Sequence, residues 1–449
     1  MPKTSCFKAY DIRGRIPDEL NADLARRISY AYAQVIKPKR VVVGRDIRLT
    51  SNEIADAVME GLQQAGVDVF DIGLCGTENV YFATFSQGMD GGIMVTASHN
   101  PIDYNGLKLV REDAKPIGAE TGLKDIQKLV ESDDLSIPEG LTGKREQLDT
   151  WDDYIKHLLS YIDVSKVKPL KVVINPGNGG ASLVIDRIES LLPIEFIKMD
   201  YEVDGSFPNG IPNPLLPENQ SKTSERVIQE KADLGIAWDG DYDRCFMFDE
   251  NGQFVNGYYL VGLITKELLK QTPGSAIVYD PRLIWNTIDV VNEAGGAPII
   301  SKTGHSYIKK VMRDNDAIYG GEISGHHYFK DFSYCDSGMV PWLLVCSLLS
   351  SADSQISALI TDFQQRYPAS DEINRRVDDP KAIIAKMEEQ YAEQAEGIDH
   401  IDGLSVDLGT WRFNLRMSNT EPLLRLNVET RGTEKSLDDA IEEVLEIYN

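Results

Sequence analysis

The chain has 449 residues, 42% of them hydrophobic and 8% aromatic, a composition that fills well-packed cores in roughly three to four domains. Its 46 Lys and Arg against 71 Asp and Glu leave a net charge of −25, a field that repels nucleic acid and anionic membrane, with no Lys/Arg-rich stripe to offset it. The same field repels phosphorylated small molecules, so a phosphate site must bring its own Arg and Lys.

The opening MPKTSCFKAYDIRG lacks the apolar core of a signal peptide, and YDIRG (Tyr10 to Gly14) predicts a short strand ended by its glycine. Three segments then repeat one pattern of apolar strand, polar loop, amphipathic helix and second strand. They begin at Arg40 (RVVVGRDIRLTSNEIADAVMEGLQQAGVDVFDIG), at Lys171 (KVVINPGNGGASLVIDRIESLLPIEFIKMD) and at Ala276 (AIVYDPRLIWNTIDVVNEAGGAPIISKTG). Short Val/Ile runs alternating with helices predict α/β units on mixed or parallel sheets. Each unit leads to a further strand ending in an unusual loop: DGGIMV into TASHNP, ADLGIAW into DGDYDR, and DAIYG into GEISGHH. Functional groups in open α/β sheets gather at such strand ends.

The acidic stretch Glu131 to Gln147 separates the first unit from the second. The strand CFMFDENGQFV, with its Asn251-Gly252 turn, leads out of the second. Tyr367-Pro368-Ala369-Ser370 opens a smaller last domain. The expected domains are 1–145, 146–252, 253–366 and 367–449. The most apolar segment, Met339 to Leu349, contains Pro341 and is far short of the ~20 residues that span a bilayer. The five cysteines (Cys6, Cys75, Cys245, Cys335, Cys346) are scattered without a CxxC pair, which reads as reduced thiols in a cytoplasmic protein.

Four loops carry chemistry. In TASHNP, Ser98 precedes His99. Ser, Asn and Pro are turn residues in their own right, so this stretch is either a polar turn or a nucleophile loop. DGDYDR sets Asp239, Asp241 and Asp243 at alternate positions before Arg244. Three carboxylates this close repel unless a cation neutralises them, and hard oxygen ligands favour Mg²⁺ over Ca²⁺. An EF-hand is excluded because its sixth position requires glycine and here holds Arg244, and because both flanks are strand-like. An aspartyl-phosphate loop of the haloacid dehalogenase type is excluded by Asp243 at its fifth position. In GEISGHH, Glu322, Ser324 and His326 alternate, placing a carboxylate, a hydroxyl and an imidazole on one side of an extended loop suited to sugar hydroxyls. WRFNLRMSNTEPLLRLNVE places Arg416, Ser418, Asn419 and Thr420 in a turn with Arg425 on the outgoing strand. That is the equipment for a phosphate dianion.

TASHNP, DGDYDR, GEISGH and RMSNTEP, in this order, resemble the four signatures of the α-D-phosphohexomutase superfamily across essentially the whole chain. FKAYDIRG, FPNGIPNPLLPEN, SKTGHSYIK and CDSGMVPWLLV are most similar to its bacterial phosphomannomutase branch. The resemblance implies three related mixed-sheet α/β domains and a smaller C-terminal α+β domain, heart-shaped around a central cleft. It implies that Ser98 carries a phosphoryl group and that Asp239, Asp241 and Asp243 hold Mg²⁺, a phosphoserine oxygen completing the set. Glu322, Ser324 and His326 then read the sugar, while Arg416, Ser418, Asn419, Thr420 and Arg425 clamp the non-reacting phosphate. Tyr10, Arg13, His99, Lys108, Arg244 and His305 fall on or beside positions similar to family site residues. Arg282 stands where some relatives have lysine.

The activity implied is interconversion of mannose 6-phosphate and mannose 1-phosphate through a 1,6-bisphosphate, feeding GDP-mannose synthesis. The substrate would be a small phosphosugar, with hexose 1,6-bisphosphate as activator and no nucleic acid or membrane partner. Arg244 or Lys108 can stabilise the transition state, and His326 or Lys108 can accept the sugar proton. Phosphoglucomutase or dual activity is the rival within enzymes. A Ca²⁺- or sugar-binding module without turnover is the rival outside them.

Overall fold

A computed structural model describes residues 4–417 and 423–447. Residues up to Phe254 together with His326–Asp353 form one compact unit, and Val255–Gly325 with the residues from Ser354 onward form a second. Four sheets organise the described residues, three mixed and the last wholly antiparallel.

The first unit opens with β1 (Ile12–Arg15), α1 (Ala22–Ile36), β2 (Arg40–Arg45), α2 (Ser51–Gln64), β3 (Asp68–Leu74), α3 (Thr77–Ser86), β4 (Gly91–Val95), β5 (Tyr104–Arg111), α4 (Lys124–Glu131) and β6 (Arg145–Gln147). Its sheet runs β1-β5-β4-β2-β3-β6. The Asn21 side chain caps α1 by accepting from Leu24 N–H, and Lys37 ends the helix in a left-handed conformation. β4 is buried along its whole length, as a central strand flanked by β2 and β5 must be. Val41, Val43, Ile93 and Val95 pack against Ile28, Ile54 and Val58 of α1 and α2, each buried aliphatic side chain contributing about 1.5–3 kcal/mol. Two sequence expectations change here. Gly14 lies inside β1 rather than ending it, because β1 continues pairing with β5 as far as Arg15. The acidic separator also contributes an edge strand, β6, parallel to β3.

Next come α5 (Trp151–Leu159), β7 (Leu170–Asn175), α6 (Ser182–Ile188), β8 (Ile194–Lys198), α7 (Ser221–Glu230), β9 (Leu234–Trp238), β10 (Cys245–Phe248) and β11 (Phe254–Val255), in sheet order β11-β10-β9-β7-β8. β9 and β10 are wholly buried and antiparallel, so the acidic loop 239–244 is a connection between two core strands.

The second unit begins with α8 (Gly257–Gln271), β12 (Ala276–Tyr279), α9 (Trp285–Glu293), β13 (Ala297–Ile300), α10 (His305–Asp314) and β14 (Tyr319–Gly321). β12 pairs in parallel with both β13 and β14. The antiparallel pair β15 (His327–Phe329) and β16 (Cys335–Asp336), followed by α11 (Val340–Ala352), belongs to the first unit.

The second unit resumes with α12 (Ile356–Arg366), β17 (Ile373–Arg376), α13 (Pro380–Tyr391), β18 (Gly397–Asp399), β19 (Leu404–Asp407), β20 (Trp411–Met417), β21 (Leu423–Thr430) and α14 (Leu437–Glu446). Its sheet runs β17-β21-β20-β19-β18. Phe413, Leu415, Leu424, Leu426 and Val428 alternate onto the face covered by Met387, Tyr391, Ala440 and Val444. On the opposite face Arg412 pairs with Glu429 at 2.8 Å and donates to the carbonyls of Pro281 and Arg282, tying this sheet to the loop after β12. No single helix among the described residues is long and apolar enough to cross a membrane.

Candidate active site

In the first unit, β4 delivers the chain into a turn, and Ser98 adopts φ +49°. Ser98 Oγ donates to Asp239 at 2.8 Å and lies 3.0 Å from His99 Nδ1. Arg244 donates through Nε to Asp239 at 2.9 Å and through Nη2 to His99 Nδ1. A guanidinium can only donate, so His99 Nδ1 is an acceptor and the ring is neutral. Burial, then the charges of Arg244 and Arg13, hold its pKa well below the usual histidine value.

Lys108, opposite Met94 on β5, donates to Asp241 at 2.7 Å and to Asp243. Burial lowers its pKa, but the two carboxylates outweigh this and leave it above the ordinary lysine value. Burial pushes Asp239 up to about 6, with Arg244 opposing. Asp243 goes the other way, to about 2, because Lys108 and then His326 overcome its burial.

The three aspartates each offer an oxygen within 4.8 Å of the others. Asp241 Oδ1 and Asp243 Oδ1 are buried without a hydrogen-bond partner. Buried, orphaned anionic oxygens on a converging set fit a hard divalent cation. The loop is braced from behind by Tyr242, at φ +45°. Its hydroxyl accepts from Gly76 N–H at 2.7 Å and donates to Asn79. Its ring fills space that a Cβ at Gly76 or Gly180 would occupy.

His326 Nε2 is 3.9 Å from Asp243 Oδ1, and buried Asp336 lies in the same group. Arg13 donates to Ala97 O at 2.8 Å and Asn100 Oδ1 at 2.6 Å. Tyr10 is partly buried in the bend before β1. The first unit therefore brings Arg13, Ser98, His99, Lys108, Asp239, Asp241, Asp243, Arg244 and His326 together. Sequence reasoning missed Thr77, which donates to Asp241 and accepts from Lys108 at 3.2 Å. No motif marks it, because the contact joins α3 to a loop 164 residues away.

The second unit holds a separate cluster. Arg282 grips Asp280 through two bonds of 2.8 Å, reaches Ser324 Oγ at 3.4 Å and lies 3.7 Å from Glu322. Burial lowers its pKa, but Asp280 more than reverses this. Glu322 accepts from Gly304 N–H at 3.0 Å, beside His305, the first residue of α10. Glu322 to Gly325 is a turn closed by Gly325 N–H donating to Glu322 O at 3.1 Å. This corrects the extended loop expected from alternation: the strand stops at Gly321 and resumes at His327.

Arg416 stands on β20 opposite Arg425, rather than in the turn. The facing cations are reconciled by Glu372, which accepts from Arg416 at 2.7 Å and Arg425 at 3.2 Å. Burial, then the charge of Arg282, brings Arg416 below the usual arginine value. Ser418, Asn419 and Thr420 lie outside the described residues. Asp280 and Glu372 went unread in the sequence, since lone acids there carry no pattern.

Four family models match: the phosphoglucomutase/phosphomannomutase α/β/α domains I (residues 4–136), II (152–252) and III (256–367), and the C-terminal domain (372–447). A phosphomannomutase of Salmonella montevideo is 55% identical over 455 residues, covering 100% of both chains. One of Escherichia coli K12 is 53% identical, again over 100% of both. Among solved structures, a phosphoglucomutase/phosphomannomutase family protein from Burkholderia thailandensis superposes with a TM-score of 0.88 at 33% identity, covering 100% of this chain and 97% of its own. The chain belongs to the phosphoglucomutase/phosphomannomutase family, within the α-D-phosphohexomutase superfamily.

Proposed function

We propose that this protein is a phosphomannomutase, an isomerase that interconverts mannose 6-phosphate and mannose 1-phosphate through a phosphoserine and the 1,6-bisphosphate. The observation that carries the reading is the hydrogen bond from Ser98 to Asp239 at 2.8 Å, inside a cage of Lys108, Arg244 and three buried carboxylates. A buried serine tied to acids and cations is equipped to take and return a phosphoryl group. Full-length relatives bearing the name phosphomannomutase support the substrate class.

Asp239, Asp241 and Asp243, with an oxygen of phosphorylated Ser98, would hold Mg²⁺, which when bound draws charge from the phosphoryl group. Arg244 and Lys108 supply fixed positive charge where the Ser98 Oγ–phosphorus bond breaks and a bond to the sugar oxygen forms. Lys108 already carries its proton between two carboxylates, so it is no acceptor for the hydroxyl proton. The imidazole of His326, beside Asp243, takes that role. In the return transfer the other phosphate moves to Ser98, whose released oxygen has carried the negative charge beside Arg244 since the first transfer, and His326 gives its proton to the sugar oxygen set free.

Arg282, Glu322, Ser324 and His305 are proposed to orient the sugar. Arg416 and Arg425, with Ser418, Asn419 and Thr420, are proposed to grip the phosphate that does not react, and Tyr10 and Arg13 to line the serine side. Hexose 1,6-bisphosphate serves as activator, and cytoplasmic GDP-mannose synthesis is the proposed setting. Action on glucose phosphates is the second reading, favoured by a Glu322–Ser324 turn that offers groups for O3 and O4, which both sugars share. Comparing kcat/KM for mannose 1-phosphate and glucose 1-phosphate tests this. A clear preference for mannose is expected, and parity or a glucose preference replaces the first reading with the second.

A further inference from the structure

Arg48 belongs to none of the four signature loops, yet its side chain is only 1% exposed. Arginine at that depth requires partners for its charge and donors. It sits between β2 and α2. Its Nη1 donates to the carbonyls of Pro101 (2.8 Å) and Tyr104 (3.0 Å), and its Nη2 to those of Ser98 (3.0 Å) and Asn100 (2.6 Å). No helix or strand covers residues 96–103, so backbone groups there depend on such partners. One planar cation thus gathers four carbonyls of the serine turn.

The arginine is itself held. Asp46 accepts from Arg48 N–H at 3.0 Å and from Ser51 Oγ, and its other oxygen lies 3.6 Å from Arg48 Nε. The Phe207 ring lies over the guanidinium, centroid 5.5 Å from Cζ. On the far side of the turn, a Cβ at residue 240 would stand 2.6 Å from the Ser98 carbonyl oxygen. That carbonyl is therefore captured between Arg48 and the acidic loop. Ser98 has a left-handed backbone, φ +49°, which a serine keeps only when its surroundings impose it.

We propose that Arg48 is the positioning residue of the reactive serine. By drawing four carbonyls onto one guanidinium, it holds Ser98 in the left-handed conformation that turns Oγ toward Asp239, without itself touching substrate. The inference rests on the reading of Ser98 as phosphoryl carrier. Lysine cannot replace the fork, because its donors radiate from one atom and cannot serve two pairs of carbonyls.

The test uses full-length Arg48→Ala and Arg48→Lys, with kcat and KM for mannose 1-phosphate and folding followed by near-UV circular dichroism. Displacing a reacting group by about 1 Å costs about a hundredfold, so kcat of Arg48→Ala should fall by about that factor with KM within about threefold. Guanidinium, below concentrations that unfold the wild type, should recover roughly tenfold of the loss in Arg48→Ala and leave Arg48→Lys unmoved. If Arg48→Ala does not fold, Arg48→Lys decides: a fall in kcat of about tenfold or more at constant KM supports the proposal. Wild-type kcat in either folded variant, equal changes in kcat and KM, or no guanidinium recovery in folded Arg48→Ala overturns it. Ser98→Ala in the same assay separates the two ideas. Full activity there defeats the reading of Ser98, whereas an inactive Ser98→Ala beside active Arg48 variants defeats only the role of Arg48.

Discussion

The first unit gathers carboxylates around one hydroxyl and fills the space between them with two cations. The second does the reverse, lining up guanidinium groups and neutralising each with an acid. Ser98, Lys108, the three aspartates and Arg244 are all buried and come from segments locked by strand pairing or buried bonds. Arg425 in the second unit is 38% exposed, and it shares Glu372 with Arg416. A buried, interlocked set fixes distances between reacting atoms. The Arg425–Glu372 pair, at the exposed edge of the second cluster, is worth little in water and can exchange its carboxylate for a phosphate at small cost, whereas Arg282 and Arg416 are held by largely buried acids. The two units thus use the same residue types, and on the proposed reading the exposed Arg425 gives the phosphate-gripping set the freedom that the buried serine cluster lacks.

The most direct way to break that contrast is Ser98→Ala. Activity should fall by at least about a thousandfold while the fold is retained, and peptide mass spectrometry of the wild type should show about 80 Da added on Ser98. Phosphate found on an aspartate instead would remove the first unit's claim to the chemistry. A smaller effect, roughly ten- to a hundredfold, is expected from Arg416→Ala, read as weaker inhibition by inorganic phosphate. Glu322→Ala should instead weaken mannose and glucose phosphates alike, leaving inorganic phosphate inhibition in place. The opposite pattern means that the two loops of the second unit have exchanged roles.

The smallest effect sharpens the comparison by separating burial from chemistry. Glu78 in the first turn of α3 is buried and accepts from Tyr154 and from the Gly338 and Met339 N–H groups. Burial nevertheless raises its pKa from 4.5 to about 8. Between those values the folded chain keeps a proton that the unfolded chain releases, so this residue's contribution to stability declines as pH rises. Glu78→Gln should flatten the dependence of Tm between pH 5 and 8 by a few degrees, about the size of a small stability change, with kcat nearly unchanged. An unaltered slope would show that Glu78 ionises normally in its buried place.

The repeated α/β units were legible because Val/Ile runs such as those of β2, β7 and β12 mark strands with buried interiors. The mistakes fell where local pattern and tertiary pairing disagree. Alternation in Glu322–Ser324–His326 suggested an extended loop, but a hydrogen bond from Gly325 closes it into a turn. Arg416 looked like a turn residue, yet its pairing with Arg425 keeps it on β20. Within the candidate site, three aspartates at alternate positions pointed to a cation by their repulsion alone, and the structure brings their oxygens within 4.8 Å of one another. Arg48 and Thr77 announced nothing, since their partners lie 50 and 164 residues away and are backbone carbonyls or an acid with its own local explanation. The resemblance supplied the company that Ser98 keeps; its 2.8 Å bond to Asp239 spans 141 residues.

Tyr242 stands in the middle of the acidic loop and points away from it, its ring seated against Gly76 and Gly180 and its hydroxyl bonded on both sides. The loop is therefore fixed by contacts made behind it as well as by the bonds its carboxylates accept from Ser98, Lys108 and Arg244. Ordering a free backbone costs about 1–2 kcal/mol per residue, and along 239–244 that cost falls on folding. A cation held by Asp239, Asp241 and Asp243 as proposed would find its ligands already gathered, and its affinity would reflect charge and coordination with little deduction for entropy.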